Sequence, residues 1–258
     1  MKLSIVVPAR NEEGRIGDFL KEYCEYFGDI GGWEMIVVVN NTQDNTISVL
    51  KKFMKKYQSL RYLDYSSVYT GKGGAVHAGF ESALGDVVGY VDADASTPAS
   101  AFHELVEKLN GCDGVIASRW RKDSKINKKQ PISRRVSSRV FNLLVRGMFG
   151  LNYTDTQCGA KVFTRKALKR VRLGVTNWAF DIDVLYQMKK KGFLVREIAT
   201  TWIDREDSKL NVGRVSLEML LAILRYRIVY SPFRFVVIVY DFIFGKGEKM
   251  NYRRLVNG

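Results

Sequence analysis

Two aspartates, Asp92 and Asp94, stand one residue apart directly after the apolar run Val87-Val88-Gly89-Tyr90-Val91. In an extended chain, side chains i and i+2 point the same way, so both carboxylates can converge on one hard cation, or on a diphosphate bridged by it. Asp-x-Asp by itself is common in solvated turns, and the strand before it gives it weight. An apolar run of this length suits a central parallel strand, and ligands collect beyond the carboxyl ends of such strands.

Other stretches hold groups of the kind a phosphate or a base would use. Pro8-Ala9-Arg10-Asn11-Glu12 follows the first strand and opens a helix, where backbone amides can face an anion or a base edge. Asn40-Asn41-Thr42-Gln43-Asp44-Asn45-Thr46 follows the second strand, and its residue types suit either a base contact or a helix cap. Gly71-Lys72-Gly73-Gly74-Ala75 lacks P-loop spacing, but its glycines allow close backbone approach to a phosphate or sugar, with Lys72 as a point charge. Between Arg119 and Arg146 lie ten Lys or Arg residues against one acid, Asp123. Arg135, Ser138, Arg139 and Asn142 recur there at helical spacing, a face that would hold a phosphomonoester through guanidinium contacts. Trp178-Ala179-Phe180-Asp181-Ile182-Asp183 sets two acids beside aromatic surface at a helix start, with capping and a site role both open. His77 and His103 are far apart and carry no assigned chemistry.

The elements that must position these groups follow from periodicity. Apolar runs at 3–7, 35–39, 60–63, 87–91 and 114–117 alternate with helical patterns at 12–27, 44–57, 72–84 and 99–110. That alternation predicts an α/β domain with a mostly parallel central sheet flanked by helices. A helix is predicted over 132–149, then a strand ending at 162, short helices near 164–171 and 178–191, and a strand near 193–198. A polar loop at 204–213 precedes two amphipathic segments, 214–230 and 233–244. The division expected is a catalytic domain over 1–230 and a basic, amphipathic membrane-surface tail over 231–258.

With 258 residues the chain can bury a core without disulfide staples, and its formal charge of +14 implies an anionic partner. Cys24, Cys112 and Cys158 are odd in number and far apart, which suits a reducing compartment. A strand begins almost at once, so no signal peptide is expected, and Arg225, Arg227, Pro232, Arg234 and Asp241 interrupt any spanning helix near the C-terminus. The segment 233–244, dense in Phe, Val, Ile and Tyr, suits a helix lying in the headgroup boundary or one docked on the core.

In this order, the segments resemble the inverting family 2 glycosyltransferases of the GT-A fold, and within them the dolichyl-phosphate glucosyl- and mannosyltransferases. The resemblance spans roughly residues 2–228. It rests on Gly71-Lys72-Gly73-Gly74-Ala75, Asp92-Ala93-Asp94, Asp155-Thr156-Gln157-Cys158-Gly159 with Lys161, Phe163 and Thr164, Trp178-Ala179-Phe180-Asp181, and Ser208-Lys209-Leu210. The resemblance implies a nucleotide-sugar donor contacted by Pro8, Ala9, Glu12, Asn40, Gly71, Lys72 and Gly73, with Mg²⁺ or Mn²⁺ on Asp92 and Asp94. Arg205, Ser208 and Lys209 would belong to a loop that closes on the donor. Arg119, Arg134, Arg135 and Ser138 would hold the phosphate of a polyprenyl or dolichyl monophosphate acceptor, with Asp181 close by. Where relatives carry Asp-Asp-Gly-Ser, this chain has Asn40-Asn41-Thr42-Gln43, which leaves UDP and GDP both open.

The expected activity is therefore hexosyl transfer to a lipid phosphate at the cytoplasmic face of a membrane, by a peripheral or monotopic enzyme with no nucleic-acid partner. One alternative keeps the donor but uses a soluble or protein hydroxyl as acceptor, with Asp181 as general base. The other is a basic nucleic-acid-binding protein on a nucleotide-binding fold, indifferent to loss of Asp92 and Asp94.

Overall fold

A computed structural model describes residues 2–65, 71–127, 131–174, 179–204, 212–233 and 235–236. Its elements are β1 (Leu3–Ala9), α1 (Ile16–Ile30), β2 (Trp33–Asn40), α2 (Thr46–Met54), β3 (Leu60–Tyr65), α3 (Gly71–Ser82), β4 (Val87–Val91), α4 (Ala99–Glu107), β5 (Gly114–Ser118), β6 (Lys125–Ile126), α5 (Ile132–Phe149), β7 (Ala160–Thr164), α6 (Arg165–Leu168), α7 (Phe180–Lys190), β8 (Val195–Ala199), β9 (Thr201–Trp202) and α8 (Val212–Val229). Seven strands form one sheet in the order β3-β2-β1-β4-β7-β5-β8, and β6 pairs with β9 in a small parallel ribbon.

Every residue of β2, β4 and β5 is buried, as in strands covered on both faces. One face carries Phe19, Tyr23 and Phe27 of α1 together with Leu50 of α2 and Phe102 of α4. The other carries Val76 of α3, Phe180 and Leu185 of α7, and Ile223 and Tyr226 of α8. α1 buries Ile16, Phe19, Leu20, Tyr23, Cys24 and Phe27, the three-and-four spacing of a helix with one apolar stripe. α3 is glycine-rich because it lies close on β1: a Cβ on Gly79 would sit 2.2 Å from Val6 Cγ1.

The mostly parallel sheet expected from the sequence is present, with one reversal at its centre. β7 runs antiparallel between β4 and β5, pairing Tyr90 with Lys161 and Val91 with Ala160. The chain reaches β7 from the carboxyl rim of β4, so Gly159 lies beside Asp92 before the strand begins. Several expected boundaries move by a few residues, among them those of α1 and β7. α1 starts at Ile16 rather than residue 12, because Glu12 O accepts from the backbone N–H of both Arg15 and Ile16 in a turn, after Asn11 at φ 54°. β7 starts at Ala160 and runs past Val162 to Thr164. α5 coincides with its expected span. The predicted segment 233–244 lies almost wholly outside the described residues.

Candidate active site

The carboxyl rim of the sheet gathers the groups. β4 ends at Val91, so Asp92 and Asp94 lie in the turn after it, with Ala95 at φ 54°, rather than in extended strand. Both still face one cleft of about 330 Å³ lined by Pro8, Ala9, Glu12, Asn40, Lys72 and the two aspartates. Asp92 Oδ1 is 2.7 Å from Lys72 Nζ, and Asp94 Oδ1 accepts from Ser96 N–H at 2.9 Å. Burial pushes the Asp92 carboxyl up and the neighbouring Asp94 adds to this, while Lys72 opposes it; the net direction is upward. Burial also works against the Lys72 charge, but Asp92, Asp181 and Asp94 together hold that ammonium above its ordinary value.

Gly159 stands directly behind the first aspartate. A Cβ there would fall 2.0 Å from Asp92 Oδ2, so only glycine lets the entry to β7 pass the carboxylate. Two residues on, Lys161 is fully buried in β7. Its Nζ lies 2.5 Å from Asp181 Oδ1 and 2.6 Å from Cys158 O. Tyr90 OH donates to the same Asp181 oxygen. Burial pushes the Asp181 carboxyl up, and the ammonium groups of Lys161 and Lys72 with these hydrogen bonds outweigh it, leaving it below the usual carboxylate range. Asp181 is thus a buried carboxylate whose Oδ1 is held by Lys161 and Tyr90 together. Asp183 instead accepts from Gly174 N–H and from Tyr226 OH, and so ties α7 to α8.

The remaining predicted donor residues are placed as follows. Glu12 is half-buried and bonded to Arg15 at 2.5 and 3.0 Å; burial raises its carboxyl, and Arg15 opposes that. Asn40, expected as base contact or cap, ends β2 and donates from Nδ2 to Gly71 O, fastening the start of α3. The capping falls to Asp44, whose Oδ1 accepts from Thr46 N–H, while Asn11 Oδ1 accepts from Gln43 N–H and clasps the two loops together. Gly71 (φ 67°) and buried Gly73 open α3 with Lys72 between them. Arg205, Ser208 and Lys209 lie outside the described residues, as does the side chain of Arg134.

The expected acceptor group divides. Arg119 is committed to Asp155, with Nε to Oδ2 at 2.7 Å and Nη2 to Oδ1 at 2.9 Å, and its guanidinium lies 5.1 Å from the Trp202 ring centroid. Asn142 is buried against Thr156 and does not share the exposed face of its helix neighbours. Arg135 and Arg139 are exposed and lie 5.9 and 5.2 Å from the Trp120 ring centroid, with Ser138 half-buried on the same helix. Three buried donors lack a hydrogen-bond partner among the described residues: Trp120 Nε1, Gln157 Nε2 and Trp202 Nε1. Sequence reasoning gave no role to Tyr90 and named, without a role and only as part of the resemblance, Asp155, Gln157 and Lys161. The signal that could have found the last of these is a lysine inside a five-residue strand that is otherwise apolar but for its last residue.

Residues 4–172 match the family described as Glycosyl transferase family 2. The chain is a family 2 glycosyltransferase. Among curated relatives of this glycosyltransferase, the dolichyl-phosphate beta-glucosyltransferase of Homo sapiens is 32% identical over 225 residues, covering 81% of this chain and 69% of the relative. The enzyme of the same name from Dictyostelium discoideum is 29% identical, covering 88% and 74%. Glycosyltransferase AglD of Haloferax volcanii is 32% identical over 87% of this chain, which spans only 37% of that protein. Among solved structures, glucosyl-3-phosphoglycerate synthase from Mycobacterium tuberculosis in complex with Mn²⁺, UDP-glucose and phosphoglyceric acid superposes with a TM-score of 0.68 at 17% identity, covering 90% of this chain and 81% of that one. This glycosyltransferase has the GT-A fold.

Proposed function

We propose that this glycosyltransferase moves a hexose, with inversion, from a nucleoside-diphosphate sugar to a polyprenyl or dolichyl monophosphate. The observation that carries the reading is a rim with two unlike halves. The cleft of Asp92 and Asp94 lies beyond β4, and a hollow of about 350 Å³ lined by Trp120, Ile132, Arg135, Val136, Arg139 and Val140 lies beyond β5 at the same rim. The first half suits a charged donor. The second sets cations and free indole donor capacity among apolar side chains, which suits a phosphate carried on a hydrocarbon chain.

Asp92 and Asp94 supply the hard oxygen ligands that Mg²⁺ or Mn²⁺ prefers, and no group of three or more candidate metal ligands exists among the described residues. Diphosphate oxygens and water would complete such a shell. A bound divalent ion offsets the charge that grows on the departing nucleoside diphosphate. Pro8, Ala9, Glu12 and Asn40 wall the base and ribose side of the cleft and Lys72 meets the diphosphate, with Arg205, Ser208 and Lys209 assigned to the donor by the resemblance alone. An acceptor phosphate oxygen attacks the anomeric carbon while the bond from that carbon to the diphosphate breaks, its electron pair leaving with the nucleoside diphosphate. Arg135, Arg139 and Ser138, with Arg134, orient the acceptor, and Arg119 stiffens the floor through Asp155.

A phosphate nucleophile is already anionic and needs no strong base. The engaged, acid-shifted Asp181 fits that chemistry better than deprotonation of a hydroxyl acceptor. The names of the relatives support glucose as the sugar and dolichyl phosphate as the acceptor, and the complex with UDP-glucose and Mn²⁺ supports that donor and metal class. No helix among the described residues is long and apolar enough to cross a membrane. We assign the protein a peripheral or monotopic place at the cytoplasmic face, held by a catalytic domain over 1–230 and the tail from 231. Its basic charge then serves lipid headgroups and the acceptor phosphate rather than nucleic acid. Incubation with Mn²⁺, radiolabelled UDP-glucose or GDP-mannose, and dolichyl phosphate should yield lipid-extractable label. Label appearing only on a soluble alcohol would overturn the acceptor assignment.

A further inference from the structure

The mechanism above leaves one buried charge without work. Lys161 is the only Lys or Arg of β7, it is fully buried between β4 and β5, and its ammonium points at Asp181 rather than at the cleft. A buried ion pair costs desolvation and is weak evidence for stability, so its presence next to a charged cleft asks for another explanation. The surroundings supply one. Tyr90 is close to two ammonium groups: Lys161 Nζ is 5.3 Å from its ring centroid and Lys72 Nζ is 5.9 Å. Lys72 therefore sits in the field of both Asp92, which it contacts at 2.7 Å, and Asp181 on the inner side.

We propose that Lys161 is a positioning residue of the donor site: by neutralising Asp181 from inside the sheet, it leaves Lys72 free to serve Asp92 and the donor diphosphate. Without Lys161, Asp181 is a buried carboxylate left in the field of Lys72. Unscreened attraction between unit charges in a protein is several-fold stronger than in water, so Lys72 is drawn inward, away from the cleft. The cleft then faces a polyanionic donor with two aspartates and one cation fewer. This role for Lys161 rests on the donor assignment made above and supplies the device that sustains it.

The test is donor binding rather than turnover. Calorimetric titration with UDP-glucose or GDP-mannose in Mn²⁺ first establishes binding to the unaltered protein, and no binding with either sugar nucleotide would sink the donor assignment itself. Given binding, Lys161→Met, which keeps the stem and removes the charge, should weaken it at least about tenfold, or ~1.4 kcal/mol. The double variant Lys161→Met/Asp181→Asn, with both charges gone, should bind within about threefold of the unaltered protein. A purely structural pair gives no such recovery, because the double variant lacks the same packing and hydrogen bonds. Lys161→Gln, which retains a donor toward Asp181 and Cys158 O, is the milder version where Lys161→Met does not fold, and it should show the same loss. Unchanged donor affinity in the folded single variants, or a double variant as weak as the single, overturns the role of Lys161.

Discussion

The two rims of the one sheet hold the same kinds of charge and treat them in opposite ways. At the amino rim, buried Glu34 accepts from Ser4 Oγ at 2.6 Å, from Leu84 N–H at 2.7 Å and from Arg61 Nε at 3.1 Å, and Arg61 in turn donates to Ser82 Oγ and Ser82 O. Each acceptor has its donors, and the network closes on itself. At the carboxyl rim, Asp92 meets one lysine, Asp94 meets one backbone amide, and both look into a cleft. The left-handed residues Asn11, Asn41 and Ala95 all follow strands at this rim. A saturated carboxylate holds elements together, whereas an unsaturated one is held ready for something else.

The contrast breaks most clearly if the two acids are exchanged in consequence. Asp94→Asn should lower kcat/KM by about 1,000-fold, ~4 kcal/mol in transition-state stabilisation, while the melting temperature stays put. Unchanged turnover would remove the metal role. Glu34→Ala should do the reverse, costing about 3 kcal/mol in urea unfolding because Ser4 Oγ and the Leu84 N–H lose a buried acceptor, with donor affinity of the folded protein unaltered. Gly159→Ala sharpens the carboxyl rim: pushing Asp92 aside should weaken Mn²⁺-dependent donor binding about tenfold, ~1.4 kcal/mol by calorimetry. Arg135→Glu should raise the lipid-phosphate KM about fivefold and leave the donor KM nearly unchanged; the opposite ranking would move the acceptor site elsewhere.

The smallest effect is in acid. Burial pushes the Glu34 carboxyl up, and the bonds from Ser4, Leu84 and Arg61 outweigh it, holding it below its ordinary value of 4.5. A carboxyl depressed on folding contributes stability that is complete above its unfolded value and is lost as pH falls through the lower folded one. The melting temperature should therefore decline below about pH 4.5, and Glu34→Gln should flatten that decline by a few degrees. An unaltered acid limb would show that the amino rim is not where this stability resides.

Much of the carboxyl rim was legible in the chain. Val87–Val91 followed by two acids reads correctly as a buried strand with two carboxylates just past its end, and Ile132–Phe149 reads correctly as one helix because its apolar residues recur at helical spacing. Legibility failed where a residue's partner is distant in sequence. Arg119 reads as a phosphate-binding cation, yet Asp155, 36 residues on, holds it. Asn40 reads as a base contact or cap, yet it bonds Gly71. Asp181 reads as a possible base until Tyr90 and Lys161 converge on it.

Local patterning alone settled the order of the main strands and helices, though not of β6 and β9, together with the apolar interior of the sheet and the residue types at its carboxyl rim, since periodicity and turn chemistry act over a few neighbours. Tertiary structure alone decided that β7 enters antiparallel between β4 and β5, and so brings Gly159 and Lys161 against Asp92 and Asp181. Charge compensation inside a low-dielectric core depends on distance in space, and strand pairing sets that distance independently of how far apart the residues stand along the chain.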